Sequence, residues 1–375
     1  MSLYLDNSAT TQVLPEVRDA MIPYLFEEFG NPSSKYYDRA ENAKQAVKDS
    51  RANVANLLGC YEREIVFTSG ATESNNLIIK GVADKYQNER GDHIVTSKAE
   101  HSAVLETCKY LESKGFRVTY LDVDQYGRVS LDDIIDIILN DPPLLITLIW
   151  GNNEIGSLNP IEEVSRLCEK HNILFHTDAT QVVGKVPLNL MELPGLRFLS
   201  CSAHKVHGPK GTGAAIIKLD ELGIPTKITP LLHGGEQEDG YRSGTLAVHN
   251  IVGFGKAAEI ASEQLNKNIA NLRTNEKYLE DLLRNKFGDK ISYNHDSENK
   301  IPGILSVTFN GINNELLVKN LAPHIAVSTG SACSTSKPSH VLEAMGFSLD
   351  HIRSTIRISL SPHIEQHELD IFNQL

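Results

Sequence analysis

The chain has 375 residues, 41% hydrophobic and 22% charged, a balance that excludes a disordered chain and a length beyond one ordinary core of ~100–150 residues. It carries 36 Lys and Arg against 48 Asp and Glu, a net charge of −12, which argues against a broad nucleic-acid-binding face. No run approaches the ~18 uninterrupted apolar residues of a membrane span, and MSLYLDNSATT lacks the basic-then-apolar order of a secretory leader. Five cysteines are widely spaced, without a CxxC, so neither a disulfide framework nor a zinc site is expected. These features predict a cytoplasmic protein with reduced thiols and no metal centre.

The first two-thirds alternate short apolar runs with helical patterns. Strands are predicted at Glu64–Thr68, His93–Ser97, Arg117–Leu121, Leu144–Leu148, Ile173–Thr177, Phe198–Ser202 and Gly213–Ile217. Helices are predicted between them, at Thr72–Lys85, Ala103–Lys114 and Pro160–His171. That alternation implies an α/β fold around a mainly parallel sheet buried on both faces. From Ile251 to Phe287 the pattern is helical, with Leu265, Ile269, Leu272, Leu279 and Leu283 on one stripe. Strands at Gly303–Phe309 and His324–Ser328 flank a helix at Asn314–Leu321. Ser328–Ser339, rich in Ser, Thr, Gly and Pro, reads as a mobile loop. A last strand, Ser354–Leu360, precedes an acidic C-terminal helix, and the tail reads as a small α+β domain.

Several positions carry chemical potential. The segment Phe67–Asn75, FTSGATESN, joins a strand to a helix. Small residues around Ala71 let backbone N–H groups approach an anion, and the Thr72 hydroxyl adds a donor; the alternative is a capped helix start. Neither a Walker loop nor a dinucleotide fingerprint is present. Asp178 ends an apolar strand, where α/β sheets bind ligands. It would keep a ring nitrogen protonated or simply cap the next turn. Lys205, in SCSAHK before the Gly-rich GPKGTG, is a Schiff-base candidate if burial lowers its pKa, and a surface lysine otherwise. His101 follows a strand and would stack on a flat ligand or shuttle protons, or be structural. Arg357, inside a strand pattern, calls for a carboxylate partner or faces outward. Cys333, in STGSACSTS, is a thiol in a flexible polar loop and suits a travelling nucleophile; the other four cysteines read as core residues.

Taken in order, YLDNSATT, GNPSS, TSGATESNN, EH at Glu100–His101, NNEIG, HTDATQ, SAHK, GPKGTG, HGG, RSGT and STGSAC cover nearly the whole chain. Together they resemble the group I cysteine desulfurases, fold-type I pyridoxal 5′-phosphate (PLP) enzymes of the class-V aminotransferase family. The resemblance implies a fold-type I PLP-dependent transferase. A large domain at 14–260 with a mainly parallel seven-stranded sheet would be joined by a small domain of 261–375, completed by 1–13. It implies conversion of L-cysteine to L-alanine, with sulfur left as a persulfide on Cys333 for iron–sulfur cluster assembly or tRNA thiolation.

By matched position, Lys205 would form the Schiff base, Asp178 pair with the pyridinium nitrogen, and Gln181 contact the ring hydroxyl with Asn153 nearby. His101 would stack on the ring and assist proton transfer, and Ala71, Thr72, Ser202 and His204 would hold the phosphate. Thr245 would reach the phosphate of a neighbouring subunit, implying a homodimer, while Arg357 and Asn153 would bind substrate. The implied partner is a sulfur-acceptor protein, a cluster scaffold or a tRNA-thiolation enzyme, with no membrane and no direct nucleic-acid contact. Tyr36-Tyr37 stands where the family commonly has His, and Ala203 where Gly is usual. Two other readings use the same residues: an aminotransferase or selenocysteine lyase, which does not need Cys333, and a catalytically silent sulfur-relay protein.

Overall fold

The computed structural model describes residues 2–220, 222–330 and 338–373. Its strands are β1 (Leu3–Tyr4), β2 (Ile65–Thr68), β3 (His93–Ser97), β4 (Arg117–Leu121), β5 (Leu145–Ile149), β6 (Leu174–Asp178), β7 (Leu196–Ser202) and β8 (Gly213–Ile217), followed by β9 (Ile291–Tyr293), β10 (Ile304–Phe309), β11 (Ile325–Ala326) and β12 (Thr355–Ser359). Seven of them form one sheet in the order β2-β8-β7-β6-β5-β3-β4. Only β8 runs antiparallel, to both of its neighbours. This is the mainly parallel α/β sheet expected from the sequence.

The apolar runs are continuous because both faces are covered. Every residue of β5 and β6 is buried. On one face, Leu77, Ile78 and Val82 of the helix Ala71–Arg90 pack on Ile94, Leu145 and Phe198. On the other, Val47 and Val54 of the helix Asp38–Leu58 and Phe254 and Ala258 of the helix Val248–Phe287 cover Phe67, Ile146 and Phe175. These last two helices meet closely: a Cβ on Gly255 would lie 2.5 Å from Ser50 Cα. Asp38–Leu58 escaped the sequence reading because its buried stripe is built largely from Ala40, Ala43 and Ala46, which give little hydrophobic contrast. The helix Leu131–Asn140 was missed as well, although Asp132, Asp133, Asp136 and Asn140 share one face and Ile134 and Ile138 are buried on the other.

The remaining strands form a three-stranded sheet, β12-β10-β9, and a parallel pair, β1-β11. Leu3 pairs with Ile325 and Tyr4 with Ala326. Leu5 is buried with Leu279, Leu305, Val307, Ile325, Ile356 and Ile358. The chain's first residues thus pack with its last third. Two local expectations differ. The C-terminal segment Gln366–Asn373 is a 3₁₀ turn, not an α-helix, and buries only Leu369 and Phe372. The strand expected at His324–Ser328 shrinks to Ile325–Ala326 plus an isolated bridge from Ser328 to Arg357. Among the described residues, no helix is long and apolar enough to cross a membrane.

Since β3, β5, β6 and β7 are parallel, their carboxyl ends lie on one edge, where ligands of α/β sheets bind. Asp178 ends β6 and Ser202 ends β7.

Candidate active site

A cavity of about 550 Å³ opens at that edge. Its walls bring together Ala71, Thr72, His101, Asn153, Asp178, Gln181, Ser202, His204, Lys205 and Arg357. Ten of the positions singled out in the sequence therefore meet in one place.

One end of the cavity suits an anion. The helix Ala71–Arg90 starts there with no side-chain cap on its first N–H groups, which leaves its positive end to a ligand. Gly70, just before it, has φ 148° and ψ 177°, a conformation essentially restricted to glycine. A Cβ on Gly213 would lie 2.7 Å from Gly70 Cα, so Gly213 is needed for the backbones to meet and Gly70 for its conformation. Thr72, Ser202, His204 and Lys210 line the same region. Burial, reinforced by the charges of Lys205 and Lys210, pushes the His204 imidazole down to about 4. It is therefore neutral at physiological pH, with Nδ1 3.1 Å from Thr10 Oγ1.

Asp178 faces the cavity's interior and is 3% exposed. Asn75 Nδ2 donates to its Oδ2 at 2.7 Å and the Thr180 N–H to its Oδ1 at 3.0 Å. Two donors fix the orientation of the carboxylate. Gln181 Nε2 donates to Ser8 O at 2.9 Å, and Gln181 Oε1 accepts from Lys185 Nζ at 3.0 Å. Burial, then the nearby Lys205 and Arg357, lowers Lys185 to about 7. His101 caps the helix Ser102–Glu112 by accepting the Ala103 N–H at Nδ1, 3.1 Å away. In the neutral ring the proton then sits on Nε2. Burial lowers its pKa as well.

Lys205 ends a short 3₁₀ turn directly after β7. Its Nζ donates to the carbonyls of Ser8 at 2.5 Å and Ala9 at 2.7 Å. Burial, followed by the Arg357 charge, lowers its pKa to about 8 against the opposing pull of Asp6 and Asp178. Arg357, in the middle of β12, is 2% exposed. Its Nη2 donates to Asp6 Oδ1 at 2.7 Å, and its Nη1 to the carbonyls of Asn153 at 3.0 Å and Gly330 at 3.3 Å. Among the described residues the buried Nε has no partner. A lysine poised to lose its proton, an anion cradle, a buried carboxylate and a partly unpaired guanidinium share one cavity.

Comparison with known proteins gives this arrangement its family. Residues 3–372 match the family model described as Aminotransferase class-V. The cysteine desulfurase IscS of Dictyoglomus turgidum is 42% identical over 98% of this chain and 92% of its own length. The cysteine desulfurase IscS of Plasmodium falciparum is 43% identical over 96% of the chain, which spans only 65% of that relative's length. Among solved structures, a "NifS-like protein" superposes with a TM-score of 0.91 at 39% identity, covering 100% of this chain and 98% of its own. "SspA in complex with cysteine" superposes at 0.84 and 38% identity, covering 97% and 100%. The chain belongs to the class-V aminotransferase family, among its cysteine desulfurases.

As a member of that family it is a PLP-dependent enzyme, and its cavity fits the cofactor. The uncapped helix start with Thr72, Ser202 and a neutral His204 is a donor set for a phosphate. The oriented Asp178 carboxylate suits a protonated ring nitrogen. Thr180 Oγ1, buried without a partner among the described residues, also lines the cavity. Lys205 supplies the amine. Its lowered pKa has a kinetic consequence. The neutral-amine fraction rises with pH up to about 8, so capture of an aldehyde is expected to speed up about tenfold per pH unit below that point and level off above it. Uptake of PLP by the cofactor-free desulfurase, timed across that range, checks this; a rate independent of pH would contradict it.

The desulfurase's N-terminal turn was underestimated in the sequence. Ser8, Ala9 and Thr10 line the cavity, and Asp6 pairs with Arg357. YLDNSATT carried a recognisable pattern, but contacts spanning about half the chain or more leave no local periodicity. Glu73 was also missed: it accepts the Ser69 N–H at 2.8 Å and Arg242 Nε at 2.9 Å, tying the anion loop to the segment that carries Thr245. Thr245 itself is exposed and does not line this chain's cavity. Cys333 and the surrounding residues 331–337 lie outside the described residues. The other four cysteines are buried. Burial raises all four thiols, Cys108 and Cys201 to about 12, which leaves them un-ionised and inert.

Proposed function

We propose that this chain releases L-alanine from L-cysteine and keeps the sulfur as a persulfide on Cys333, with the roles of its residues set by the cavity described above. The reading is carried by the joint placement in one cavity of Lys205, Asp178 and Arg357. When bound, PLP supplies an electron sink that stabilises negative charge at the substrate Cα. The N–H groups at Ala71 and Thr72, with the side chains of Thr72, Ser202 and His204, hold the phosphate. Asp178 keeps the ring nitrogen protonated, Gln181 and Asn153 face the ring hydroxyl, and His101 is the ring's neighbour and a proton carrier. Arg357 takes the substrate carboxylate with Asn153 beside it.

Lys205, easily deprotonated, removes the Cα proton and returns protons as the product forms. The Cys333 thiolate attacks the substrate sulfur, the substrate C–S bond breaks, and the carbon side is protonated to alanine. Cysteine and one thiol thus become alanine and one persulfide, with no external oxidant.

Two copies would form a homodimer in which exposed Thr245 reaches the phosphate of the other copy. The large unit is 14–260, and 1–13 with 261–375 make the small one, a division supported by the packing of Leu5 among Leu305, Ile325 and Ile358. The persulfide would pass, in the cytoplasm, to an acceptor protein serving iron–sulfur cluster assembly or tRNA thiolation. With a net charge of −12, any role on tRNA would run through that acceptor and not through direct binding.

An aminotransferase would use Lys205 and Asp178 equally well but has no need of Cys333. The substitution Cys333→Ser therefore separates the readings. Sulfide and alanine production is expected to fall by about 10²-fold or more, with PLP still bound. Undiminished production would remove Cys333 from the nucleophile's role.

A further inference from the structure

The turn Asp6–Ala9 meets two of the cavity's cationic side chains, Lys205 and Arg357. Lys205 Nζ donates to the carbonyls of Ser8 and Ala9, and Arg357 Nη2 to the Asp6 carboxylate. Asp6 is itself fixed. Its carbonyl accepts from the Tyr4 hydroxyl and from the Ala9 and Thr10 N–H groups, and its backbone bridges Ser359, two residues beyond Arg357. Arg357 cannot turn to solvent: its side chain is 2% exposed, that of Asp6 20%. Among the described residues its guanidinium has one carboxylate partner, two carbonyl partners on Nη1, and a buried Nε with none. A buried cation without a counter-charge would be costly and would attract any anion. The Asp6 charge removes much of that excess and leaves two of the five N–H donors, one on Nη2 and that on Nε, without a partner among the described residues.

We propose that Asp6 is a specificity-determining positioning residue: it holds the Arg357 guanidinium in place and limits the cavity's positive charge, so that the site accepts one carboxylate on a net-neutral amino acid and disfavours amino acids with an anionic side chain. This rests on the reading of Arg357 as the contact for the substrate carboxylate.

The test is binding of L-alanine and L-aspartate to the holoenzyme, read from the cofactor absorbance. Alanine is net neutral, whereas aspartate carries one extra negative charge. Asp6→Asn keeps an oxygen acceptor toward Nη2 and removes the charge. The aspartate-to-alanine affinity ratio is expected to rise about tenfold. Asp6→Ala also removes the acceptor, and alanine binding is expected to weaken about tenfold as Arg357 is released. An unchanged ratio in Asp6→Asn would overturn the specificity role, and unchanged alanine binding in Asp6→Ala the positioning role. Should the uncharged variants fail to fold, Asp6→Glu retains the carboxylate and is expected to stay within about twofold of the parent ratio; a tenfold rise there would overturn the charge argument. Alanine and aspartate bind without sulfur transfer. A protein that forms no alanine from cysteine would refute the proposed activity and still leave this ratio measurable.

Discussion

Replacing Lys205 by alanine is expected to lower alanine release at saturating cysteine by about 10³-fold or more. The magnitude follows from the several tasks concentrated on one atom. Lys205 Nζ is a cavity amine whose acidity is tuned by burial and by the Arg357 charge to about 8, near the operating pH where proton transfer is most efficient. Its two partners are backbone carbonyls, Ser8 O and Ala9 O, which accept a hydrogen bond and cannot replace a base. Lys185 is no substitute, because its Nζ is engaged by Gln181 Oε1 at 3.0 Å. Turnover measured with PLP occupancy checked by absorbance tests this. A loss of less than about tenfold at full occupancy would place the proton-transfer role elsewhere.

The second large effect is expected at Asp178. Asp178→Asn preserves the shape and removes the charge; its oxygen still accepts the Thr180 N–H, and its NH2 is accommodated once the Asn75 amide turns its Oδ1 toward it. Turnover is expected to fall by about 10²- to 10³-fold, because a neutral amide no longer keeps the ring nitrogen protonated and the electron sink weakens. Folding should survive, since a buried carboxylate is replaced by a neutral group of the same shape. The combination of lost turnover and retained thermal stability separates a cofactor-tuning role from a structural one. Parallel loss of both would assign Asp178 to the scaffold, as the anchor of Asn75 and Thr180.

The residues legible in the sequence share a physical setting. Asp178, Ser202, His101 and Lys205 sit at or just after the carboxyl ends of apolar strands, and a parallel sheet brings those ends together whatever the helices between them do. Thr72 was readable because a strand, small residues and a helix start follow one another in ten positions. Arg357 stood out as a charge inside an apolar strand, and β12 does bury it.

What was not legible depends on distant pairing. Asp6, Ser8 and Ala9 reach the site only because β1 pairs with β11 and Ser359 takes the Ser8 N–H and the Asn7 side chain. Lys185 looks like an ordinary lysine after a Gly, yet it lies beneath Gln181. The helix Asp38–Leu58, which covers one face of the sheet, hides behind alanines. Sequence periodicity reports which face an element buries, but not which far-off turn completes a cavity.

The central claim is the fate of the sulfur. The most direct measurement incubates the PLP-loaded protein with L-cysteine, quantifies alanine and keto acid, and determines the mass of the peptide containing Cys333 before any reductant is added. The account predicts alanine as the product and one extra sulfur atom on that peptide, released as sulfide in equal amount to alanine once a thiol is supplied. Keto acid as the main product, or alanine formed while the Cys333 peptide never gains sulfur, would contradict it.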